Sequence, residues 1–387
     1  MRVMVDFIAE RPGGLLKSFG RNRLLFPLIL FGKELRERGV HIKFVEHSDR
    51  ASLMSGEVLC LDSRVFTNAE GRVMQPTLDL VAHLRDRYDW VVWFDNRDSS
   101  GTTQFEVLAL VDRYAKKQIL SDRTLYTKPL YAGRLHTDFL HDRYGICDST
   151  KPESSVLLPN LGDMPKLTPS WNLAYSDFRS ASHWQRYLNY GLGFRPPLLY
   201  AERNRTVQLQ ARFGTEYDSE VITFHRRSYL DMAKKLAEQG TSVACGRVSL
   251  RDYKQEMRHA LAVLSPFGWG EVCFRDFEAM QNGCALIKPC VEHMDTWPDL
   301  FQDGETYLSL PWDVDDATRR LPLIMDDRPL LRSVGAKAQK RFRRIWDPEG
   351  ARAFAEHFCD LVVPASGHDG GERQVQAERS GRSRKCV

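Results

Sequence analysis

Short apolar runs alternate with amphipathic segments along the first third of the chain. A continuous apolar run at Val3–Ile8 is followed by helical spacing over Arg21–Arg38 and by a second run at His41–Val45. Leu78–Tyr88 repeats the helical spacing, and Trp90–Phe94 is again a continuous apolar run. Apolar strands separated by helices are typical of a parallel sheet covered on both faces. This part of the chain is therefore predicted to be an α/β unit.

A second α/β pattern begins at Thr206, after an irregular middle region rich in Tyr, His, Arg and Asp. It again alternates apolar runs with helical spacing, so a second covered parallel sheet is predicted. The predicted strands are Thr206–Gln210, Thr241–Cys245, Leu261–Ser265 and Cys284–Lys288. The predicted helices are Ser228–Gly240, Leu250–Ala260, Phe274–Asn282, Pro329–Trp346 and Pro348–Leu361.

The two patterns predict an α/β protein with two domains, each a parallel sheet covered by helices. The first spans residues 1–192 and the second residues 193–346, because the glycines and prolines of Gly191–Pro197 are typical of a linker. Residues 347–363 form a final predicted helix. Residues 364–387 lack the apolar side chains of a core and are predicted to be a disordered tail.

Composition and charge narrow the function classes. Of 387 residues, 42% are hydrophobic and 27% charged, which is typical of a globular protein. The net charge of +4, from 55 basic and 51 acidic residues, is too balanced for an electrostatic DNA binder, so no nucleic-acid partner is expected. The first residues do not resemble a secretory signal, and no apolar stretch reaches the roughly 20 residues that a membrane span needs, so neither a signal nor a span is expected. The eight cysteines lack metal-ligand spacing, so reduced thiols in the cytoplasm are expected.

The most informative segment covers residues 265–289 and reads SPFGWGEVCFRDFEAMQNGCALIKP. A predicted buried strand ends at its first residue. Gly268 and Gly270 then shape a loop through which the backbone can approach a ligand closely. A helix begins near Cys273 and ends at Gly283, and its N-terminal amides can face an anion.

The run Phe277–Ile287, FEAMQNGCALI, resembles the motif in the nucleotide-sugar half of GT-B glycosyltransferases. The superfamily includes retaining sucrose-synthase-like and exostosin-like enzymes. The resemblance implies two Rossmann-like domains facing a cleft, with the final helix returning to the first domain. It also implies that Glu278 binds the donor ribose, while the glycine loop and the helix N-terminus, with Arg275, receive the diphosphate.

One position departs from this motif. Many retaining members have a second Glu eight residues before the helix Glu, where this chain has Gly270, and its nearest acid is Glu271. Glu271 is therefore a candidate for both catalysis and donor binding. The choice between a retaining and an inverting reaction stays open.

Basic residues near the start of the second domain are candidates for binding the diphosphate. Arg212 follows the predicted first strand, and His225 and Arg226 are expected to open the next helix. Arginine forks match phosphate oxygens, so Arg226 is the first choice. The alternatives are a solvated helix surface for the arginines and local packing for His225.

The loop after Trp90–Phe94 supplies candidates in the first domain. Asp95 and Asp98 lie at the carboxyl end of a strand, where open α/β sheets bind ligands, and either can act as a general base for an acceptor hydroxyl. The alternatives are an Asx-type cap and a weak D-x-x-D metal site. Gly13 and Gly14 follow the first predicted strand and would let an acceptor or diphosphate approach.

Two further segments carry polar residues that could line the cleft. The basic and aromatic run from Lys117 to His136 could contact an anionic or sugar acceptor, or could be a solvated face with buried tyrosines. His293 and Asp295 follow the predicted strand that ends at Lys288, with loop packing as the alternative.

These residues predict a glycosyltransferase that moves a sugar from a nucleotide-sugar donor to a glycan, lipid or other hydroxyl acceptor. Synthesis of cell-surface polysaccharide or glycoconjugate is the expected process. No metal and no cofactor besides the donor substrate are expected, because arginines and a helix dipole can hold a diphosphate. The expected location is cytoplasmic, with peripheral contact at the inner membrane face left open. The alternatives are a nucleotide-sugar epimerase of the same fold and a catalytically inactive binding or scaffold protein.

Overall fold

The computed structural model describes residues 2–9, 24–46, 56–68, 70–150, 155–176 and 204–363. Within these ranges the chain forms two parallel sheets with helices and one two-stranded antiparallel ribbon. The predicted linker, the predicted tail and the Gly13–Gly14 loop lie outside the described residues. The domain boundary therefore stays a prediction.

The first sheet contains six parallel strands. In chain order these are β1 (Val3–Ala9), β2 (Val40–Glu46), β3 (Gly56–Asp62), β4 (Tyr88–Asp95), β5 (Arg113–Lys116) and, after the short β6 (Gln118–Leu120), β7 (Leu167–Pro169). Their spatial order is β2-β1-β3-β4-β5-β7. The helices of this half are α1 (Leu25–Leu30), α2 (Gly32–Glu37), α3 (Gln75–Arg85) and α4 (Leu135–Tyr144). The strand order reverses between β1 and β3, and ligands of open α/β sheets bind at such a switch point.

The second sheet has five parallel strands. They are β8 (Val207–Ala211), β9 (Val243–Cys245), β10 (Ala260–Leu264), β11 (Ala285–Pro289) and, after β12 (Met294–Thr296), β13 (Leu308–Leu310). Their spatial order is β13-β11-β10-β8-β9. The helices are α5 (Glu220–Glu238), α6 (Leu250–His259), α7 (Phe274–Gln281), α8 (Val314–Asp326) and α9 (Arg328–Arg344). The predicted pair of Rossmann-like α/β units is confirmed by these two strand orders.

A short ribbon connects the two halves through backbone hydrogen bonds. Strand β6 follows β5, strand β12 follows β11, and the two pair antiparallel. The amide of Ser121 extends this ladder by donating to the carbonyl of His293 at 2.8 Å. The loops at the carboxyl ends of both sheets are therefore held beside each other.

The last helix, α10 (Pro348–Val362), packs against the first half of the chain. The Trp90 indole donates to the Leu361 carbonyl at 3.2 Å. The Phe354 ring lies 5.2 Å from the Phe31 ring and 5.3 Å from the Trp171 ring, measured between centroids. These rings belong to one apolar core that runs through both halves. Separating the halves would therefore expose large aromatic side chains to water.

Two predicted helices differ from those observed. The single helix predicted over Arg21–Arg38 is two short helices in its described part, with a break at Phe31. The helix predicted to begin at Ser228 begins at Glu220, because the Ser219 side chain accepts a hydrogen bond from the Ile222 amide and caps it. Residues 225 and 226 consequently lie in the second turn rather than at the helix start.

Two further features were not expected from the sequence. The predicted elements lack strands β3, β5, β6, β7, β12 and β13 and helices α4 and α8, although the run Val58–Leu61 of β3 is apolar and gives a usable signal. Cys290 is disulfide-bonded, so the expectation of reduced thiols throughout is wrong at this position. Pairing of cysteines depends on tertiary placement, which spacing along the chain does not reveal. None of the described helices combines the length and apolar character needed to cross a membrane.

Candidate functional site

Glu271 connects the facing loops of the two halves. It lies between β10 and α7 and is 1% exposed. Its carboxylate accepts hydrogen bonds from Ser99 Oγ at 2.9 Å, Ser100 N at 3.0 Å and Ser100 Oγ at 2.8 Å, all in the loop after β4. The predicted donor loop and the predicted acceptor loop are therefore bound directly to each other.

Two buried histidines lie beside this carboxylate. His136 Nδ1 of α4 is 3.9 Å and His293 Nε2 is 3.7 Å from Glu271 Oε1, and neither ring makes a hydrogen bond with the described residues. Burial acts to raise the pKa of Glu271, but the two imidazoles outweigh it and hold that pKa well below its usual range. Burial lowers the pKa of His136. Glu271 is consequently an ionised group inside the contact between the halves.

Asp95 is committed to a buried network within the first sheet. It is 1% exposed, and its Oδ2 accepts from Tyr114 Oη at 2.5 Å and from Lys116 Nζ at 3.0 Å. Its Oδ1 accepts from the Arg97 amide at 2.8 Å. Burial lowers the pKa of Lys116 to about 8. Both carboxylate oxygens are thus occupied by protein groups.

Asp98, three residues further along, faces the cleft between the halves. Its side chain is 62% exposed, and Lys117 Nζ lies 2.9 Å from its Oδ1. Lys117, and more weakly Arg64, hold the pKa of Asp98 below its usual range. Of the two aspartates predicted as catalytic candidates, only Asp98 presents an ionised carboxylate to a ligand.

The two loop glycines are positions of close approach. A Cβ at Gly270 would overlap the Asp98 carbonyl oxygen, so no other residue fits without movement of one backbone. A Cβ at Gly268 would lie 3.1 Å from Arg226 Nη1. The loop was predicted to need glycine. At Gly270 the reason is its contact with the backbone of Asp98 in the opposite half of the protein.

Arg226 and Arg275 place two positive charges behind this loop. Arg226 donates to the carbonyls of Gly214 at 2.5 Å and Phe267 at 3.0 Å. The two guanidinium carbons lie 5.3 Å and 5.6 Å from the centroid of the same Phe213 ring. Within the described ranges no carboxylate lies within ion-pair distance of either guanidinium, and Arg226 is 5% exposed.

Arg212 and His225 have other partners. Arg212 pairs with Glu256, with nitrogen–oxygen distances from 2.6 to 3.1 Å. His225 is 3% exposed, and its Nε2 accepts from the Phe267 amide at 3.2 Å. The charge of Arg212 is therefore neutralised by Glu256 of the same half. His225 supports the glycine loop from inside the core.

Glu278 is half-buried on α7 and keeps one oxygen accessible. Its Oε2 accepts from the Tyr253 hydroxyl of α6 at 2.7 Å, while no described residue donates to its Oε1. Tyr253 fixes the carboxylate in one orientation. This geometry leaves an acceptor oxygen for a ligand hydroxyl beside the N-terminal part of α7.

An unpredicted ion pair anchors the start of α7. Asp276 and Lys288 are fully buried, with 2.6 Å between Nζ and Oδ2. Asp276 also accepts from Ser265 Oγ at 2.6 Å, and Lys288 donates to the Glu271 carbonyl at 2.7 Å. The sequence signal for this ion pair was Lys288 itself, a charged residue at the end of an otherwise apolar predicted strand.

The described residues include no group of three or more His, Cys, Asp or Glu side chains arranged to hold a metal ion. Gly13 and Gly14 lie outside the described residues, so their predicted role stays a prediction.

No family model and no curated protein matches this sequence. The chain is similar to a solved α-glucosyltransferase bound to UDP and DNA, with a TM-score of 0.45, 10% identity, and coverage of 94% of this chain and 100% of that one. It is similar to HepE from Anabaena in complex with UDP-glucose, with a TM-score of 0.40, 11% identity, and coverage of 92% and 99%. It is also similar to sucrose-phosphate synthase from Thermosynechococcus elongatus, with a TM-score of 0.44, 12% identity, and coverage of 94% and 100%.

Likeness at this level supports no conclusion about activity, so the function depends on the residues of the site. The architecture follows from the strand orders of the chain itself. These form the two facing Rossmann-like units that the resemblance to GT-B enzymes implied.

Proposed function

We propose that this protein is a glycosyltransferase that transfers a sugar from a nucleotide-sugar donor to a hydroxyl acceptor. One observation carries the proposal. Arg226, Arg275 and Glu278 lie at the carboxyl end of the second sheet, and neither arginine has a carboxylate partner among the described residues. The glycine loop beside them touches Asp98 of the first half.

The donor contacts follow from charge and geometry. Arg226 and Arg275 offer two guanidinium groups to a diphosphate, and the N-terminus of α7 adds a favourable dipole. Oε1 of Glu278 accepts a hydrogen bond from a ribose hydroxyl, while Tyr253 keeps the carboxylate oriented. Because these cations serve the diphosphate, the proposed reaction needs no metal and no cofactor beyond the donor.

Asp98 orients the acceptor in this proposal. A carboxylate with a lowered pKa is ionised at neutral pH but is a weak base, so its main contribution is to accept a hydrogen bond from the acceptor hydroxyl and align it. Asp95 remains the positioning residue for this loop through the Arg97 amide.

Glu271 acts as a positioning residue when the halves are in contact. Among the described residues, the hydrogen bonds to its carboxylate come from Ser99 and Ser100, so in this arrangement it fixes the acceptor loop against the donor loop. A direct role at the reacting sugar would require those bonds to exchange. The proposal covers both a retaining and an inverting reaction.

In this proposal the acceptor is a hydroxyl group of a glycan or of a lipid-linked molecule, and the reaction belongs to the synthesis of surface polysaccharide. The transferase itself is proposed to be cytoplasmic. Contact with an anionic membrane surface is supported by exposed cations on α9. These are Lys337, Lys340, Arg343 and Arg344.

Glu278→Gln is expected to weaken UDP-glucose binding by about 10- to 100-fold, because a hydrogen bond to a charged group contributes about 1.5–3 kcal/mol. Calorimetric titration measures the dissociation constant. Glu238→Gln on the exposed surface of α5 is the matched control and should bind as the original protein does. Equal affinity of both variants would remove Glu278 from the donor site.

Nucleotide release separates the proposal from its two alternatives. A transferase releases UDP faster when a hydroxyl acceptor is added. An epimerase interconverts the sugar nucleotides without release, and a binding or scaffold protein does neither.

Asp98→Asn is expected to lower kcat for transfer by about 10²-fold, because misalignment of a reacting group can cost that much in rate, and to leave donor affinity unchanged. Asp231→Asn is the control, since Asp231 is also 62% exposed and pairs with a lysine, Lys234. A kcat near that of the control would show that Asp98 does not contact the acceptor.

A further inference from the structure

A cleft of about 1060 Å³ opens at the carboxyl ends of β3 and β4. Its walls are the loops that follow these strands, together with Arg134 from the start of α4 and Trp269 from the glycine loop. None of Arg226, Arg275 and Glu278 lines it. The cleft is therefore separate from the proposed donor contacts, although it reaches the same junction through Asp98.

Arginine is the dominant charged residue of this cleft. Arg64, Arg72, Arg97 and Arg134 line it, against Glu70, Asp98 and Asp218. Glu70 lies 3.9 Å from Arg72, and the charge of Asp98 is already met by Lys117, whose ammonium lies 2.9 Å away. Among the described lining residues, arginines therefore outnumber carboxylates.

Individual contacts show how these cations are presented. Arg64 is exposed, and its guanidinium makes no hydrogen bond or ion pair with any described residue. Arg97 Nη1 donates to the carbonyls of Glu70 at 3.2 Å and Gly71 at 2.9 Å, which orient the group. Fixed guanidinium forks suit carboxylate or phosphate oxygens.

Trp269 gives the cleft an apolar surface of the right kind for a sugar ring. It is 39% exposed, although the glycine loop that carries it is packed between the halves. Arg134 holds it, donating to its carbonyl at 2.8 Å and lying with its guanidinium carbon 5.0 Å from the indole centroid. An exposed indole that is held in place can stack on the C–H face of a sugar.

We propose that the acceptor is an anionic saccharide, whose carboxylate or phosphate group binds Arg64 and Arg97 while a sugar ring lies against Trp269. This inference rests on the proposed function for the assignment of the cleft to the acceptor. The anion selectivity itself rests only on the cleft residues.

Direct binding of defined oligosaccharides tests the proposal without requiring turnover. The probes are tetragalacturonate, maltotetraose carrying one phosphate group, and neutral maltotetraose, titrated by calorimetry into the full chain at fixed salt. Arg64→Gln is the test variant, and Arg352→Gln, an exposed position on α10, is the matched control. UDP binding is measured for every protein.

At least one anionic probe is expected to bind about ten times or more tighter than maltotetraose, and its identity distinguishes carboxylate from phosphate. Arg64→Gln should weaken that binding at least about fivefold, whereas Arg352→Gln and UDP affinity should be unchanged. The proposal is overturned if neither anion is preferred, or if Arg352→Gln weakens binding as much as Arg64→Gln does. If instead the original protein does not bind UDP, the donor assignment fails irrespective of the anion result.

Discussion

Gly270→Ala is expected to reduce sugar transfer by about 100-fold or more in a protein that still folds, because a displacement of about 1 Å in catalytic groups can cost 10²-fold in rate. The added Cβ would overlap the Asp98 carbonyl oxygen and lie 2.5 Å from the carbonyl carbon. Both are backbone atoms, so the loops of the two halves must move apart. Overpacking of this kind costs about 1–3 kcal/mol.

Transfer kinetics and hydrogen exchange together check this expectation. In Gly270→Ala, kcat should fall and amides of the loop after β4 should exchange faster, because the bonds from Ser99 and Ser100 to Glu271 are stretched. Gly56→Ala is the control, since nothing lies within 4 Å of a Cβ at that position. Normal activity in Gly270→Ala would show that contact between these loops is not needed for transfer.

Lys288→Met is expected to lower the free energy of unfolding by about 3–5 kcal/mol, the usual effect of removing one partner from a buried ion pair. The variant would leave the Asp276 carboxylate, which is 0% exposed, without its cation. It would also leave the Glu271 carbonyl without the donor that now lies 2.7 Å away. Both losses occur at the start of α7, so donor binding should weaken as well.

Urea denaturation followed by circular dichroism measures this loss. Lys234→Met is the matched control, because the Lys234 side chain is 56% exposed in its pair with Asp231 and such pairs contribute about 0–1 kcal/mol. Equal stability of the two variants would contradict the structural role of the buried pair.

Local sequence patterns predicted four of the five strands of the second sheet but three of the six strands of the first. The segment at residues 265–289 is the clearest case, since its apolar runs and glycines specify strand, loop, helix and strand in order. The ends of elements were less predictable where a single side chain decides them. Helix α5 begins at Glu220 rather than at the predicted Ser228, because the capping hydrogen bond of Ser219 sets its start.

The candidate site was predicted less completely than the fold. The sequence indicated Glu278, Arg226 and the glycine loop as donor-side residues, and the structure places them beside α7. Arg226 was the first choice from the sequence, but the sequence did not reveal that Arg212 is paired with a carboxylate. The Glu256 that neutralises Arg212 is 44 residues away in the chain, so its effect depends on tertiary placement.

The sequence by itself determined most elements of the second sheet and the loops that follow β4 and β10, because these depend on residues close together in the chain. Only the tertiary structure decided which polar groups face a ligand. Asp95 and Asp98 are near neighbours, and each pairs with a lysine. Asp95 is nevertheless 1% exposed, whereas the Asp98 side chain is 62% exposed and lines the cleft. The fold also brings four arginines and three acidic residues together in the described lining of one cleft, a grouping that the near-balanced charge of the whole sequence does not reveal.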